Sequence, residues 1–336
     1  MTDGLDRENP FRHDMLALLR AAERERDDVP RIGRTRRRAR DVAVLGQDPY
    51  LAFPASNVVA ADVDDGGRLA LTVQFLGLMG PQGAMPLALT EEALHASLRD
   101  DPAFARFLDI FNNRFLQLFF RAWADARPIA QRDRPAEDRF VRYVGAVVGL
   151  GLDRDDPDGA VPTLAKAAYA GLLSARVKCA SRLRAFLSGL FEVEVEVEEF
   201  VPTSLMLDEA DQTRLGAANS ALGRDMMVGR KVLTFEEKVR IRITVATLSE
   251  YETFLPDGPN ADRLADAIAF YLGDELDWDV ELSLPTHLAP AATLGVAGRL
   301  GYTGWMNPQH DFQNKAYLAD ARFRPNTPAR RHMDGR

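Results

Sequence analysis

Three short segments in the C-terminal half constrain the fold more than any other feature. Phe191, Val193, Val195 and Val197 alternate with Glu192, Glu194, Glu196 and Glu198. Val239, Ile241, Ile243 and Val245 alternate with Lys238, Arg240, Arg242 and Thr244. Trp278, Val280, Leu282 and Leu284 alternate with Asp279, Glu281 and Ser283. Successive side chains of a strand point to opposite faces, so each segment predicts a strand with one apolar and one polar face. The polar faces are acidic, basic and acidic in turn. An exposed opposite-charge pair gains roughly 0.2–1 kcal/mol, and like charges placed opposite each other cost about as much. The pattern predicts at least one acidic strand beside Lys238–Val245, with charge acting more on register than on stability.

The chain has 336 residues, which at ~150 per domain predicts about two domains. A hydrophobic fraction of 46% can fill sizeable cores. We expect an N-terminal half (1–150) with an apolar loop at 77–89, a C-terminal half (151–310) with a long helix and the charged-face sheet, and a tail (311–336). The longest apolar run, Ala146 to Leu152, is far short of the ~20 residues of a membrane span. The opening residues MTDGLDRENPFRHD lack a basic-then-apolar pattern, so a cytosolic location is expected. The one cysteine, Cys179, excludes an intrachain disulfide and reads as a small, semi-buried helix residue.

Asn9-Pro10 predicts a helix start, with the helix running to about Arg26 through Phe11, Met15, Leu18, Leu19 and Ala22. Arg31 to Arg40 (RIGRTRRRAR) is a basic run without interleaved aromatics. It reads as a solvated loop or as an edge for an acidic neighbouring protein. Arg68 to Leu76 alternates as a strand. Gly77 to Pro86 (GLMGPQGAMP) is a shaped loop, and its apolar content means that it must be buried against something. Thr90 is expected to cap a short helix, and Asp101-Pro102 to start a longer one. Its stripe Phe104, Phe107, Leu108, Phe111, Phe115, Leu118, Phe119 and Trp123 predicts the centre of a core. A further helix is expected over Ala136–Gly149, and a long one from Pro162 to about Gly189. The acidic turn Asp153–Gly159 fails the calcium-loop pattern at Arg154.

No reaction motif emerges. The five histidines have no helical metal-ligand spacing. A nucleophile elbow and a phosphate-binding glycine loop are absent. Two lesser readings stand beside a structural one. One is nucleic-acid binding through Arg31–Arg40, which the formal net charge of −8 opposes. The other is an enzyme built on the acids Asp274, Glu275, Asp277 and Asp279.

Several ordered strings carry a resemblance. They include Asp48-Pro49 with Leu51-Ala52-Phe53-Pro54, and Phe75-Leu76-Gly77-Leu78 with Gly80-Pro81, Gly83 and Pro86. Phe107-Leu108-Asp109-Ile110-Phe111-Asn112 follows with Arg114, then Phe119, Arg121-Ala122-Trp123 and Ala170-Gly171-Leu172-Leu173. Later come Arg214-Leu215-Gly216, Ala221-Leu222-Gly223 with Asp225, and Phe254-Leu255-Pro256. The last are Gly273-Asp274-Glu275-Leu276, Trp278-Asp279-Val280, and Arg299-Leu300-Gly301 with Thr303 and Trp305. Over residues 9 to 306 the chain resembles the TssG (ImpH) family of type VI secretion baseplate subunits. The resemblance implies an α+β fold of two mixed halves of helices and mostly antiparallel sheet, related to phage baseplate wedge proteins, with protruding loops.

It also implies a structural role without reaction, cofactor or metal. The implied partners are two copies of TssF and trimers of TssK, with the spike, the sheath and the membrane complex as indirect neighbours. Neither nucleic acid nor direct membrane insertion is implied. The implied location is the bacterial cytoplasm, with the baseplate docked at the inner face of the inner membrane. Two apolar segments are the expected anchors for TssK. One holds Leu78, Met79, Pro81, Met85, Pro86 and Leu87; the other holds Phe200, Val201, Leu205, Met206 and Leu207. Met79→Asp with Met85→Asp is expected to abolish capture while the fold survives.

Overall fold

The computed structural model describes residues 9–325 apart from 65, 151–158, 215, 217–218, 294, 296–297 and 309–314. The acidic turn at 153–158 and the tail from 326 lie outside the described residues. The chain divides into two units, Met1–Phe140 and Val141–Arg336.

In the first unit, α1 (Met15–Glu25) begins at Asp14, whose Oδ2 accepts the Ala17 N–H at 2.9 Å. Asn9-Pro10 opens only a 3-10 turn, Pro10–Arg12, and leaves Phe11 exposed. The helix therefore starts later than the Asn-Pro signal suggested, because Asp14 supplies the capping oxygen. Next come β1 (Ala43–Gln47), β2 (Val58–Val63) and β3 (Leu69–Val73). They form one sheet in the order β1-β3-β2, with β1 parallel and β2 antiparallel to β3. The expected strand is β3, with Leu69, Leu71 and Val73 buried. Then follow α2 (Leu87–Ser97), α3 (Ala103–Asp125), α4 (Pro128–Arg132) and α5 (Arg139–Val147), which carries the chain out of the unit. Thr90 lies inside α2 and does not cap it; its buried Oγ1 accepts the Gly80 N–H at 3.2 Å.

Helix α3 overturns half of the expected core stripe: Leu108 is buried and Phe104, Phe119 and Trp123 pack partly buried against the cores, but the other four positions do not. Its buried face is Ala105, Leu108, Asn112, Asn113, Leu116, Gln117, Phe120, Arg121 and Ala124. Phe107, Phe111, Phe115 and Leu118 are all exposed. The reason is the open edge of β1, whose backbone groups need partners. Asp109 Oδ1 accepts the Gln47 N–H and Asn113 Oδ1 accepts the Leu45 N–H, both at 2.8 Å. Gln117 Nε2 donates to the Ala43 carbonyl at 3.2 Å. Four helical residues rise about 6 Å, and two strand residues about 6.6 Å. Positions 109, 113 and 117 therefore keep step with 47, 45 and 43. Gly46 leaves room for this carboxylate, since a Cβ there would stand 2.8 Å from Asp109 Oδ2 and push it aside.

The second unit begins with α6 (Thr163–Ala168), α7 (Ala170–Leu173) and α8 (Ala180–Phe191). These three pieces replace the single helix expected from Pro162 to Gly189. Cys179 stands at the N-cap of α8 and is exposed, where a semi-buried helix position was expected. Its backbone is clasped by the Tyr271 hydroxyl, which accepts the Cys179 N–H and donates to the Cys179 carbonyl, both at 3.0 Å. The rest comprises β4 (Glu194–Glu198), β5 (Thr203–Met206), β6 (Lys231–Thr234), β7 (Lys238–Thr244), α9 (Leu248–Phe254), α10 (Ala261–Leu272), β8 (Asp277–Pro285) and β9 (Tyr317–Phe323). Strands β5 and β6 form an antiparallel ribbon. The others form a sheet ordered β4-β7-β8-β9, antiparallel except between β7 and β8. Its apolar face supplies Val195, Ile241, Ile243, Val280 and Leu282 to a core with Phe186 and Leu187 of α8 and Leu264 and Ile268 of α10. The architecture is α+β.

Both acidic strands flank the basic one. Glu196 and Glu198 stand opposite Arg242 and Arg240, which stand opposite Glu281 and Asp279 on the other side. Arg240 grips Asp279 with two bonds of 2.8 and 3.0 Å, and Lys238 Nζ reaches the same carboxylate at 2.7 Å. Glu281 is buried between Arg242 at 3.0 Å and Arg322 of β9 at 2.5 Å. Burial pushes the Asp279 carboxyl up, but Arg240 and Lys238 outweigh it and hold it below the usual range. Each strand carries one sign, so a two-residue slip would again set opposite charges face to face. The charges choose strand neighbours rather than register.

Candidate partner-binding surfaces

The first apolar loop is built into its own unit. Met79 is 1% exposed and packs with Ala93, Ala105 and Leu108, while Leu78 and Met85 lie partly buried against them. The Gln47 side chain fixes the loop by donating to the Met79 carbonyl at 2.8 Å and accepting the Met79 N–H at 3.1 Å. The Leu78 N–H is held by Asn112 Oδ1 at 3.2 Å. Only Pro81, Pro86 and Leu87 of the expected anchor are exposed. The proposed Met79→Asp test is therefore corrected. An aspartate there would bury an unpaired carboxylate and damage the loop itself.

The second segment is different. Val201 is buried, its N–H donating to the Lys238 carbonyl at 3.1 Å. Phe200 sits at φ 60, a left-handed conformation that bulky side chains rarely adopt, and its ring is 69% exposed. Leu205 and Met206 on β5 are exposed, and Leu207 is half-buried. Sequence reading stopped at Leu207 and missed what pairs with it. Strand β6 adds exposed Leu233, followed by exposed Phe235, and the connecting segment adds Leu222, Met227 and Val228. The signal lay in the apolar run Met226-Met227-Val228. The two apolar segments lie in separate units.

Several residues of the two rival sites carry structural work. Arg31 of the basic run is fully buried, with Nη1 3.1 Å from Glu23 Oε1 and Nε 3.1 Å from Glu137 Oε2. It also donates to the Ala130 and Gln131 carbonyls. Glu23 further accepts the Ile32 N–H at 2.8 Å and meets Arg121 at 3.1 Å. Arg34, Arg36, Arg37, Arg38 and Arg40 remain exposed. In the acidic cluster, Asp279 is held by Arg240 and Lys238, and Asp277 by Arg324. Among the described residues no group of three or more His, Cys, Asp or Glu is placed to hold a metal ion. No helix among them is long and apolar enough to cross a membrane.

Large apolar side chains held outward on a helix face and on a ribbon characterise a protein that binds other proteins. The comparisons agree with that class. The family model described as Type VI secretion, TssG matches residues 9–307. The chain belongs to the TssG family of type VI secretion proteins. No curated protein sequence matches it. A chain of the structure described as the baseplate complex from the type VI secretion system superposes with a TM-score of 0.61 at 22% identity, covering 91% of this chain and 89% of that one. A chain of a cryo-electron-microscopy structure of the TssK-TssF-TssG baseplate subcomplex gives 0.53 at 22% identity, covering 65% and 93%. At that identity the likeness concerns the fold.

Proposed function

We propose that the chain is a structural, non-catalytic subunit of a type VI secretion baseplate, assembling with two copies of TssF and anchoring TssK trimers around the spike. The observation that carries this reading is the family match over residues 9–307. The TssK-TssF-TssG composition of one structural neighbour supports the choice of partners. In this reading the assembly works in the bacterial cytoplasm, against the inner face of the inner membrane.

The ribbon is the stronger of the two anchors. Phe200, Leu205 and Met206 stand in solvent, where a partner can cover them without any change in this chain. The first loop contributes Pro81, Pro86 and Leu87, with Met79 and Met85 as its internal support. The test is co-expression of the full chain with TssF and TssK from the same source, followed by gel filtration with light scattering. A complex with two TssF per chain plus TssK trimers supports the reading, and a monomer that ignores both overturns it. Leu205→Asp with Met206→Asp is expected to cut TssK recovery by about tenfold or more, with the melting temperature unchanged.

A further inference from the structure

The outward face of α3 is not accounted for by either anchor. Phe107, Phe111, Phe115 and Leu118 follow one another at spacings of four, four and three, a ridge along one side of the helix. All four are exposed. Phe107 and Phe111 are packed edge to face at 5.7 Å, so the ridge is ordered within its own chain. It runs from residue 107 to residue 118, eleven steps or about 16 Å at the rise of an α-helix, which matches three turns of an opposing helix.

One edge of this ridge is basic. Ile110 and Arg114 of α3 line a groove with Arg36 and Arg38, so the apolar surface passes directly into a rim of guanidinium groups. Among the described residues, Arg36, Arg38 and Arg114 make no ion pair, unlike Arg31, Arg34 and Arg121 of the same unit. Asp41 also lines the groove but is buried and bonded to Thr35 and Gln117, so in a chain of net charge −8 the three exposed arginines favour carboxylates on whatever covers them. The formal net charge of −8 opposes a nucleic acid on this face.

We infer that the outer face of α3 is a docking surface for an amphipathic helix of a neighbouring subunit. The apolar seam of that helix packs on Phe107, Phe111, Phe115 and Leu118, and its acidic rim meets Arg36, Arg38 and Arg114. The inference rests on the reading of this chain as an assembly subunit. It assigns a role to Arg36 and Arg38, the part of the basic run that makes no ion pair among the described residues, and it places a second contact well separated in sequence from the ribbon.

The test uses the full chain co-expressed with TssF and TssK. Arginine does not react with a carbodiimide, whereas an amine in contact with a carboxylate is joined to it as an amide. The triple substitution Arg36→Lys, Arg38→Lys and Arg114→Lys keeps the charge and installs the amines. Activation of the carboxylates with carbodiimide is expected to link these positions to Asp or Glu of a helical segment of TssF or TssK, identified by mass spectrometry. The triple reversal Arg36→Glu, Arg38→Glu and Arg114→Glu is expected to lower recovery of that partner by about tenfold. Phe111→Ser with Phe115→Ser should do the same. Wild-type recovery should fall as sodium chloride rises from about 0.1 to about 0.5 M. Because the arginines are exposed, the reversal tests the idea even if the phenylalanine variant fails to fold.

The inference is overturned if the complex forms and both variants recover both partners like wild type. It is equally overturned if the links join only two copies of this chain, or if the reversal instead abolishes retention of a DNA duplex or of phosphatidylserine vesicles. Failure of the wild-type chain to capture either protein would overturn the baseplate reading, and this inference with it.

Discussion

Glu23 shows how much a single charged residue can organise. It is 3% exposed and takes hydrogen bonds from Arg31, Arg121 and the Ile32 backbone. Removing it leaves Arg31 buried with only Glu137 as a carboxylate partner. Glu23→Ala is expected to cost about 3–5 kcal/mol, read from urea denaturation. Asp279 gives a second prediction, with a definite sign in pH. Its folded-state pKa lies below the usual carboxylate value. The stability it contributes is therefore fully present above about pH 4 and is lost as pH falls through the depressed value. Melting curves of wild type and Asp279→Asn should differ by a constant amount near neutrality and converge below about pH 4. The Asp279 pairing follows the expected placing of an acidic strand beside the basic one, but the Glu23 network could not be located in the sequence beforehand. Glu23 reads as the polar face of a helix, and Arg31 as the first of a basic run, because a contact over eight residues through a turn leaves no periodic trace.

Elements whose inner and outer faces differ in polarity were legible; those whose faces are inverted were not. The alternation of Val239 to Val245 and of Trp278 to Leu284 gave β7 and β8 and the preference of a basic strand for acidic neighbours. Periodicity also found α3, but it assigned Phe107, Phe111 and Phe115 to the core. The hidden information was the edge strand β1, which the sequence reading had not placed. That edge demands Asp109, Asn113 and Gln117 on the inner face. Asn113→Leu should therefore destabilise the chain by about 1–3 kcal/mol, since it strands the buried Leu45 N–H. Phe111→Ser, though it removes a larger apolar group, should shift stability by no more than about 0.5 kcal/mol. Paired thermal melts of the two variants check this reversal of the usual ranking. The breaks at Tyr169 and before Cys179 escaped notice for a different reason. The stretch 174–178 carries no proline or glycine, and the backbone at Cys179 is held from a distance by Tyr271.

At the scale of the whole molecule, each of the two units keeps its own core and holds apolar side chains in water. The ribbon presents Met206 and Leu233, and α3 presents its ridge. Such surfaces pair with one another when partners are scarce. The isolated chain is expected to show a light-scattering mass that climbs with concentration. Addition of TssF and TssK should return it to a fixed stoichiometry, and a mass independent of concentration without partners would contradict this. The inverted helix has a consequence for anyone who evolves or engineers this chain. Because Phe107, Phe111 and Phe115 support no core, a screen for soluble expression will find serine, lysine or glutamate there and score each as an improvement. The selected proteins will be well behaved, correctly folded and silent in assembly, and only a screen that reads the finished complex will recover what was lost.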